Sequence, residues 1–215
     1  LMRDIAMKVL LPRAERNEPA LARFVEEAQI TGQLQHPFIV PVYEAGRDGH
    51  GTRYFTMKLV DGRTLEELIA EAGPDRLSPD RIADLLDVFI KVCDAIEFAH
   101  SRRVVHRDLK PENVMVGSFG QVYLMDWGGA TLVSKTRSKA PGPPPIEVSH
   151  NQVPALSNRE SFIGSAAYMA PEQAHRKNED LDERTDIFQL GGILYEILTG
   201  RAPYSHCATF FEAIL

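Results

Sequence analysis

The eight residues His106-Arg107-Asp108-Leu109-Lys110-Pro111-Glu112-Asn113 set a carboxylate, an ammonium and an amide at fixed offsets in one short stretch. A second acid follows in Asp126-Trp127-Gly128. Asp108 could orient a hydroxyl nucleophile and accept its proton. Lys110, two residues on, could reach a transferred phosphoryl group as a point charge. Asn113 and Asp126 are oxygen donors of the kind hard cations take. Magnesium keeps part of its water shell, so one amide, one carboxylate and the oxygens of a polyphosphate suffice. The combination suits phosphoryl transfer.

Such residues need a scaffold, and the rest of the chain supplies one in two characters. Ile5 to Leu10 is short and apolar with one embedded lysine, Lys8, and reads as a strand. Pro19 to Leu34 reads as a helix, with Leu21, Phe24, Val25 and Ala28 on one face. Ile39 to Tyr43 and Arg53 to Leu59 read as two strands joined through the turn-rich Gly46 to Gly51. After Asp61-Gly62 helices take over. Thr64-Leu65-Glu66-Glu67 is a capping box for a helix reaching about Ala72. Ser78-Pro79 opens a long helix expected to bury Ile82, Leu85, Leu86, Phe89, Ile90, Cys93 and Ile96. Val122 to Met125 reads as an apolar strand delivering Asp126, and Asp186 to Thr199 as an apolar helix stopped by Gly200. Ser134 to Ser161, rich in proline, reads as a long mobile loop.

Composition narrows the function classes. The 215 residues are 44% hydrophobic and 25% charged with net charge -6, which speaks against nucleic acid as a partner. Apolar runs are too short for a membrane segment, and no secretory signal opens the chain. Two cysteines, Cys93 and Cys207, without CxxC spacing fit reduced thiols and a cytoplasmic location. The chain starts at Leu1 and ends at Ile214-Leu215 within an apolar stretch, so it reads as a fragment.

His106 to Asn113, Asp126 to Gly128 and Ala170-Pro171-Glu172 resemble, in order and spacing, the catalytic-loop, metal-loop and activation-segment motifs of eukaryotic-like protein kinases. Phe98-Ala99-His100-Ser101 and Tyr168 to Gln173 look most like bacterial serine/threonine kinases. The resemblance implies an α+β, two-lobed fold: a small β-rich lobe over residues 1–60 and a mainly helical lobe over 61–215, with an activation segment at 126–173. Both lobes would be truncated. The glycine-rich phosphate loop is expected upstream of Lys8, and the final helices, with an arginine partner for Glu172, downstream.

The resemblance also implies roles. Lys8, in Ala6-Met7-Lys8, would bind the α- and β-phosphates of ATP and pair with Glu27, Glu26 being the neighbouring alternative. Asp108 would be the base, Lys110 a phosphate contact marking serine/threonine specificity, and Asn113 and Asp126 the Mg²⁺ ligands. Met57 matches the residue behind the adenine pocket and Lys58 to Val60 the hinge between lobes. His106 would stack on the metal-loop aromatic, here Trp127 instead of the commoner phenylalanine, and Asp186 would anchor the catalytic loop. Arg107 would read a phosphate on Ser157 or Ser161, and Ser165 would bridge Asp108 and Lys110. The implied activity is phosphoryl transfer from Mg-ATP to protein serine or threonine hydroxyls. A pseudokinase or scaffold binding a protein partner is the alternative, and a small-molecule phosphotransferase ranks last.

Overall fold

In Ile5–Val9 (β1) hydrophobicity and orientation run in opposite phase: Ala6 and Lys8 turn inward, while Ile5, Met7 and Val9 face out. The reason is the sheet it joins, which the computed structural model describes along with residues 3–72, 78–133, 144–148, 166–175, 181–205 and 207 as a whole. Val42–Arg47 (β2) and Arg53–Lys58 (β3) complete that antiparallel sheet in the order β1-β3-β2, with Lys8 opposite Phe55. Lys8 therefore shares the inner face with the apolar contacts of Phe55. The turn uses Asp48, whose carboxylate accepts from the His50 and Thr52 N–H groups.

The strand expected at Ile39 to Tyr43 starts later. Ile39 makes only an isolated parallel bridge to Leu124, and the regular pairing begins at Val42 and shifts register before Glu44. Pro37 precedes the segment and Pro41 lies within it, and neither has the N–H group a ladder needs.

Pro12–Glu15 (α1), a single turn, leads to Glu18–Gln33 (α2), which Asn17 caps by accepting from Ala20 N at 3.0 Å. The helix lies on the sheet through a small cluster of Leu10, Phe24 and Phe55, the two rings 5.2 Å apart. Gly62–Thr64 (β4) then pairs with Val114–Gly117 (β6), which pairs with Val122–Leu124 (β7). Gly62 is required there, since a Cβ would stand 2.6 Å from Gly117 Cα. The capping box forms as the sequence predicts: Thr64 Oγ1 accepts from Glu67 N and Glu67 Oε2 from Thr64 N, opening Leu65–Ala72 (α3).

Ser78 caps Pro79–Ser101 (α4) through Arg81 N at 3.2 Å. One expected core residue is misplaced by the sequence reading. Ile90 is 55% exposed, while Val88 and Val92 are buried. At 3.6 residues per turn, Ile90 points about 170° from the mean direction of Leu85, Val88, Val92, Ala95, Ile96 and Ala99. Val104–Val105 (β5) pairs with Thr131–Leu132 (β8), Pro171–Ala174 (α5) is one turn, and Glu183–Thr199 (α6) ends at Gly200 in the left-handed conformation. The main core gathers α3, α4, α6 and β5 to β7, and extends into α2 through Ile30 and Leu34. The result is a β-rich N-terminal part and a helical C-terminal part with open sheets.

The proline-rich stretch departs from the expected mobile loop where it is described. In Pro144–Val148, Ile146 is 4% exposed and belongs to the main core. An isoleucine among prolines reads as loop composition, yet one apolar side chain is enough to fasten such a segment when a recess receives it.

Candidate active site

The catalytic-loop motif leaves β5 and crosses the start of α6, which holds it by its backbone. Asp186 accepts from His106 N at 2.9 Å and Arg107 N at 2.8 Å, and His100 Nε2 lies 2.7 Å from the same carboxylate. One turn on, Gln189 accepts from Leu109 N at 2.9 Å and donates to Arg107 O at 2.8 Å. Gln173 of α5 donates to that same carbonyl and accepts from Ala170 N. This web keeps Arg107 in the left-handed region, φ 70°, which non-glycine residues adopt only when surroundings over-determine them. His106 packs its edge on Trp127, ring centroids 4.6 Å apart, and reaches Met125 O through Nε2.

The web sets Asp108 at the surface end of the loop. Asn113 Nδ2 donates to Asp108 O at 2.8 Å and, at 3.4 Å, to Asp108 Oδ2, while Lys110 Nζ stands 3.7 Å from Oδ2. With its nitrogen engaged, the Asn113 amide has Oδ1 left as an oxygen donor. Met125 N donates to Asn113 O at 2.8 Å, so the backbones bearing Asn113 and Asp126 are tied together. Asp126, at φ 56°, turns out of the β7 line. Among the described residues no group of three His, Cys, Asp or Glu side chains could hold a metal ion alone. One amide and one carboxylate fit a cation that brings its own phosphates and water.

Opposite, β1 and α2 present Lys8 and Glu27. Lys8 Nζ lies 2.6 Å from Glu27 Oε1 and 3.1 Å from Asp126 Oδ1, so the structure brings Glu27 to the lysine, as the sequence reading preferred over Glu26. A cleft of about 130 Å³ opens here, lined by Lys8, Glu27, Val40, Phe55, Met57 and Asp126 among others. Gly128 leaves room for the triad, since a Cβ there would press on Glu27 Oε2 at 3.2 Å and Asp126 Oδ1 at 3.3 Å. Lys58, half-buried, donates its N–H to Pro41 O, and Val60 follows it, half-buried, at the entry to β4.

The two site carboxylates are driven apart electrostatically. Burial pushes the Asp108 carboxyl above the ordinary aspartate range, against the pull of Lys110 and His106. Burial acts on Asp126 too, but the charge and hydrogen bond of Lys8 outweigh it and hold that carboxyl below the range. Opposed shifts in adjoining carboxylates suit one to take up a proton and the other to remain an anion. Lys8 is desolvated, yet Glu27 and Asp126 together raise its pKa and keep it charged. Burial pushes Glu27 upward, more than Lys8 offsets; at 2.6 Å the contact is that of a charged pair.

Several contributors escaped the sequence reading. His100, Gln173 and Gln189 carry the loop as much as Asp186 does; the one available signal was Gln189, three residues after Asp186 and hence on the same helix face. Glu172 receives the Thr185 hydroxyl at 2.6 Å. Arg107 is buried, and its Nε has no hydrogen-bond partner among the described residues. Ser157, Ser161 and Ser165 lie outside the described residues.

Comparisons with known proteins bear on this geometry. Serine/threonine-protein kinase PknD of Protochlamydia amoebophila is 34% identical over 94% of this chain and 21% of its own length. Serine/threonine-protein kinase PknB of Mycobacterium tuberculosis is 33% identical over 95% of the chain and 30% of its own length. A probable serine/threonine-protein kinase of Corynebacterium efficiens is 35% identical over 98% of the chain and 29% of its own length. The chain thus spans between about a fifth and a third of the curated relatives it matches. The protein kinase domain family matches residues 2–213, nearly everything described above, and the chain belongs to that family.

Proposed function

We propose that this chain is the kinase domain of a serine/threonine protein kinase, with a small lobe over 1–60, a large lobe over 61–215 and an activation segment over 126–173. It transfers the γ-phosphoryl group of Mg-ATP to a protein hydroxyl. Asp108 orients the acceptor and takes its proton at the carboxylate, and its raised affinity for protons suits that task. Lys110 and Lys8 contact the phosphates, and Glu27 holds Lys8 by the 2.6 Å pair. Asn113 and Asp126 would hold Mg²⁺, which supplies neutralisation of phosphate charge when bound. Met57, Lys58 and Val60 border the nucleotide base.

The observation that carries this reading is Lys8 Nζ standing between Glu27 and Asp126, at 2.6 and 3.1 Å, beside the Asn113–Asp108 hydrogen bond. Cation, oxygen donors and base adjoin. The relatives' printed names support serine/threonine specificity, as does Lys110. No described helix is long and apolar enough to cross a membrane. Among the described residues both cysteines are free thiols, which suits a cytoplasmic setting for this domain.

The regulatory part of the reading has Arg107, whose buried Nε lacks a partner among the described residues, receiving a phosphate from Ser157 or Ser161, with Ser165 near Asp108 and Lys110. One incubation tests both parts: the protein, Mg²⁺, labelled ATP and a generic serine- and threonine-containing acceptor. Transfer is expected, falling by about 10²-fold to 10⁴-fold in Asp108→Asn. ATP binding without transfer would favour the scaffold alternative, and neither binding nor transfer would overturn the reading. Mass spectrometry of the same sample is expected to find phosphate between residues 134 and 161; its absence there ends the regulatory part.

A further inference from the structure

The segment Pro144–Val148 lies between the metal loop and Ala170-Pro171-Glu172, and it docks on the end of the helix that carries Glu27. Ile146 enters the core that also takes Ile30 and Leu34 from α2 and its C-cap. Its neighbours Pro144, Pro145 and Glu147 stay exposed, while Val148, half-buried, packs against the same core. The main chain is clamped as well. Gln33, the last residue of α2, donates from Nε2 to Glu147 O at 2.8 Å and accepts from Glu147 N at 3.4 Å. The same Nε2 lies 2.9 Å from Gln29 O, which fixes the amide against its own helix. Arg102, the C-cap of α4, joins both partners: its Nη1 donates to Gln33 O at 3.3 Å, and its carbonyl accepts from Ile146 N at 3.4 Å.

We infer that Ile146 and Gln33 are positioning residues, a strap and its cleat, that hold α2 where Glu27 meets Lys8. This rests on the reading of Lys8 and Glu27 as the phosphate-contacting pair. Gln33 follows Glu27 by six residues, about 9 Å along the axis of one rigid helix, so a tilt at the clamp moves Glu27 directly. The Leu10–Phe24–Phe55 cluster attaches α2 toward its start, while at the far end Ile30 and Leu34 enter the main core, where Ile146 joins them and the Gln33 clamp closes over the last turn. Three consecutive prolines precede Ile146 in the sequence and restrict the undocked segment, which lowers the entropy lost on docking.

The test uses Ile146→Ser, Gln33→Ala and the conservative Ile146→Val in the protein, with two readouts that need no catalysis. Trp127 is the only tryptophan of the chain and shares the core with Ile146, so its emission reports the dock. Amide hydrogen exchange in residues 18–33 reports the helix. Ile146→Ser and Gln33→Ala are expected to speed that exchange, to shift Trp127 emission and, in the kinase assay, to lower kcat/KM for ATP about 10-fold. Ile146→Val should behave as wild type. Should Ile146→Ser unfold outright, Gln33→Ala decides alone, because it removes only the clamp. Unchanged exchange in α2 for Gln33→Ala, with kcat/KM preserved, overturns the inference. If the wild type transfers no phosphate, the proposed reaction fails, while exchange and emission still decide whether the strap holds the helix.

Discussion

The Asp108 loop and the Lys8 pair adjoin, yet they hang from different supports. The loop is carried by buried hydrogen bonds that its backbone makes to Asp186, Gln189 and Gln173, with each donor and acceptor inside the protein. The Lys8 pair is carried by charges on three elements, with side-chain exposures of 39% for Lys8, 9% for Glu27 and 51% for Asp126. A buried web of this kind has one low-energy arrangement, because breaking any member strands a polar group away from water. A part-exposed ion pair is worth little as a fastener, since water and salt compete for both partners. Asp108, the proposed base, is thus fixed by construction, whereas Lys8 is placed only as well as α2 is.

The sharpest way to break the comparison is Asp186→Ala. It leaves His106 N, Arg107 N and His100 without their common acceptor in a region with no exposure, and a stability loss of about 3–5 kcal/mol is expected. Urea unfolding measures it. A midpoint equal to wild type would mean that the loop does not depend on the web.

Glu27→Gln probes the other support, and its effect should be smaller and of a different kind. Phosphoryl transfer should fall about 10²-fold, as when one preorganised charge contact is lost. Stability should change by less than about 1 kcal/mol, because the pair is part-exposed and Lys8 keeps Asp126. A stability loss as large as that of Asp186→Ala would erase the distinction between the two halves.

How far the sequence alone led follows the same division. Asp108, Asn113 and Asp126 were legible because their chemistry demands fixed residue types at short range, and Thr64 to Glu67 and Ser78-Pro79 because capping is local physics. Glu27 was reached through the resemblance, with Glu26 as its rival, and the coordinates bring it to Lys8. The supports were illegible where they depend on distance in sequence: Gln173 and Gln189 meet Arg107 O across 66 and 82 residues. Ile90 failed because hydrophobicity was counted without its angle around α4. The strand Ile5–Val9 was legible, but not that Ala6 and Lys8 face inward and Ile5, Met7 and Val9 outward, because that orientation is set by the sheet it joins. Ile146 failed because proline-rich composition hides the anchoring of Ile146 and Val148.

The far end of α6 offers the mildest and most discriminating test, since there another buried carboxylate, Glu196, meets a hydroxyl instead of the loop backbone. Glu196 is buried and takes the Tyr168 hydroxyl; burial first, with Glu112 and Glu66 adding, pushes its carboxyl above the ordinary glutamate range, only partly opposed by that hydrogen bond. A carboxyl whose folded pKa is raised binds its proton more tightly folded than unfolded. Its contribution to stability is therefore complete below the unfolded pKa and lost as pH rises through the folded one. Glu196→Gln keeps an acceptor for Tyr168 without the charge. The variant should match wild type near about pH 4 and exceed it by about 1 kcal/mol near about pH 8, the gap opening from the ordinary glutamate range upward. Comparing the two proteins by urea unfolding at each pH cancels every other titrating group. A gap that stays constant with pH, or opens toward acid, would show that Glu196 is held as a stabilised anion.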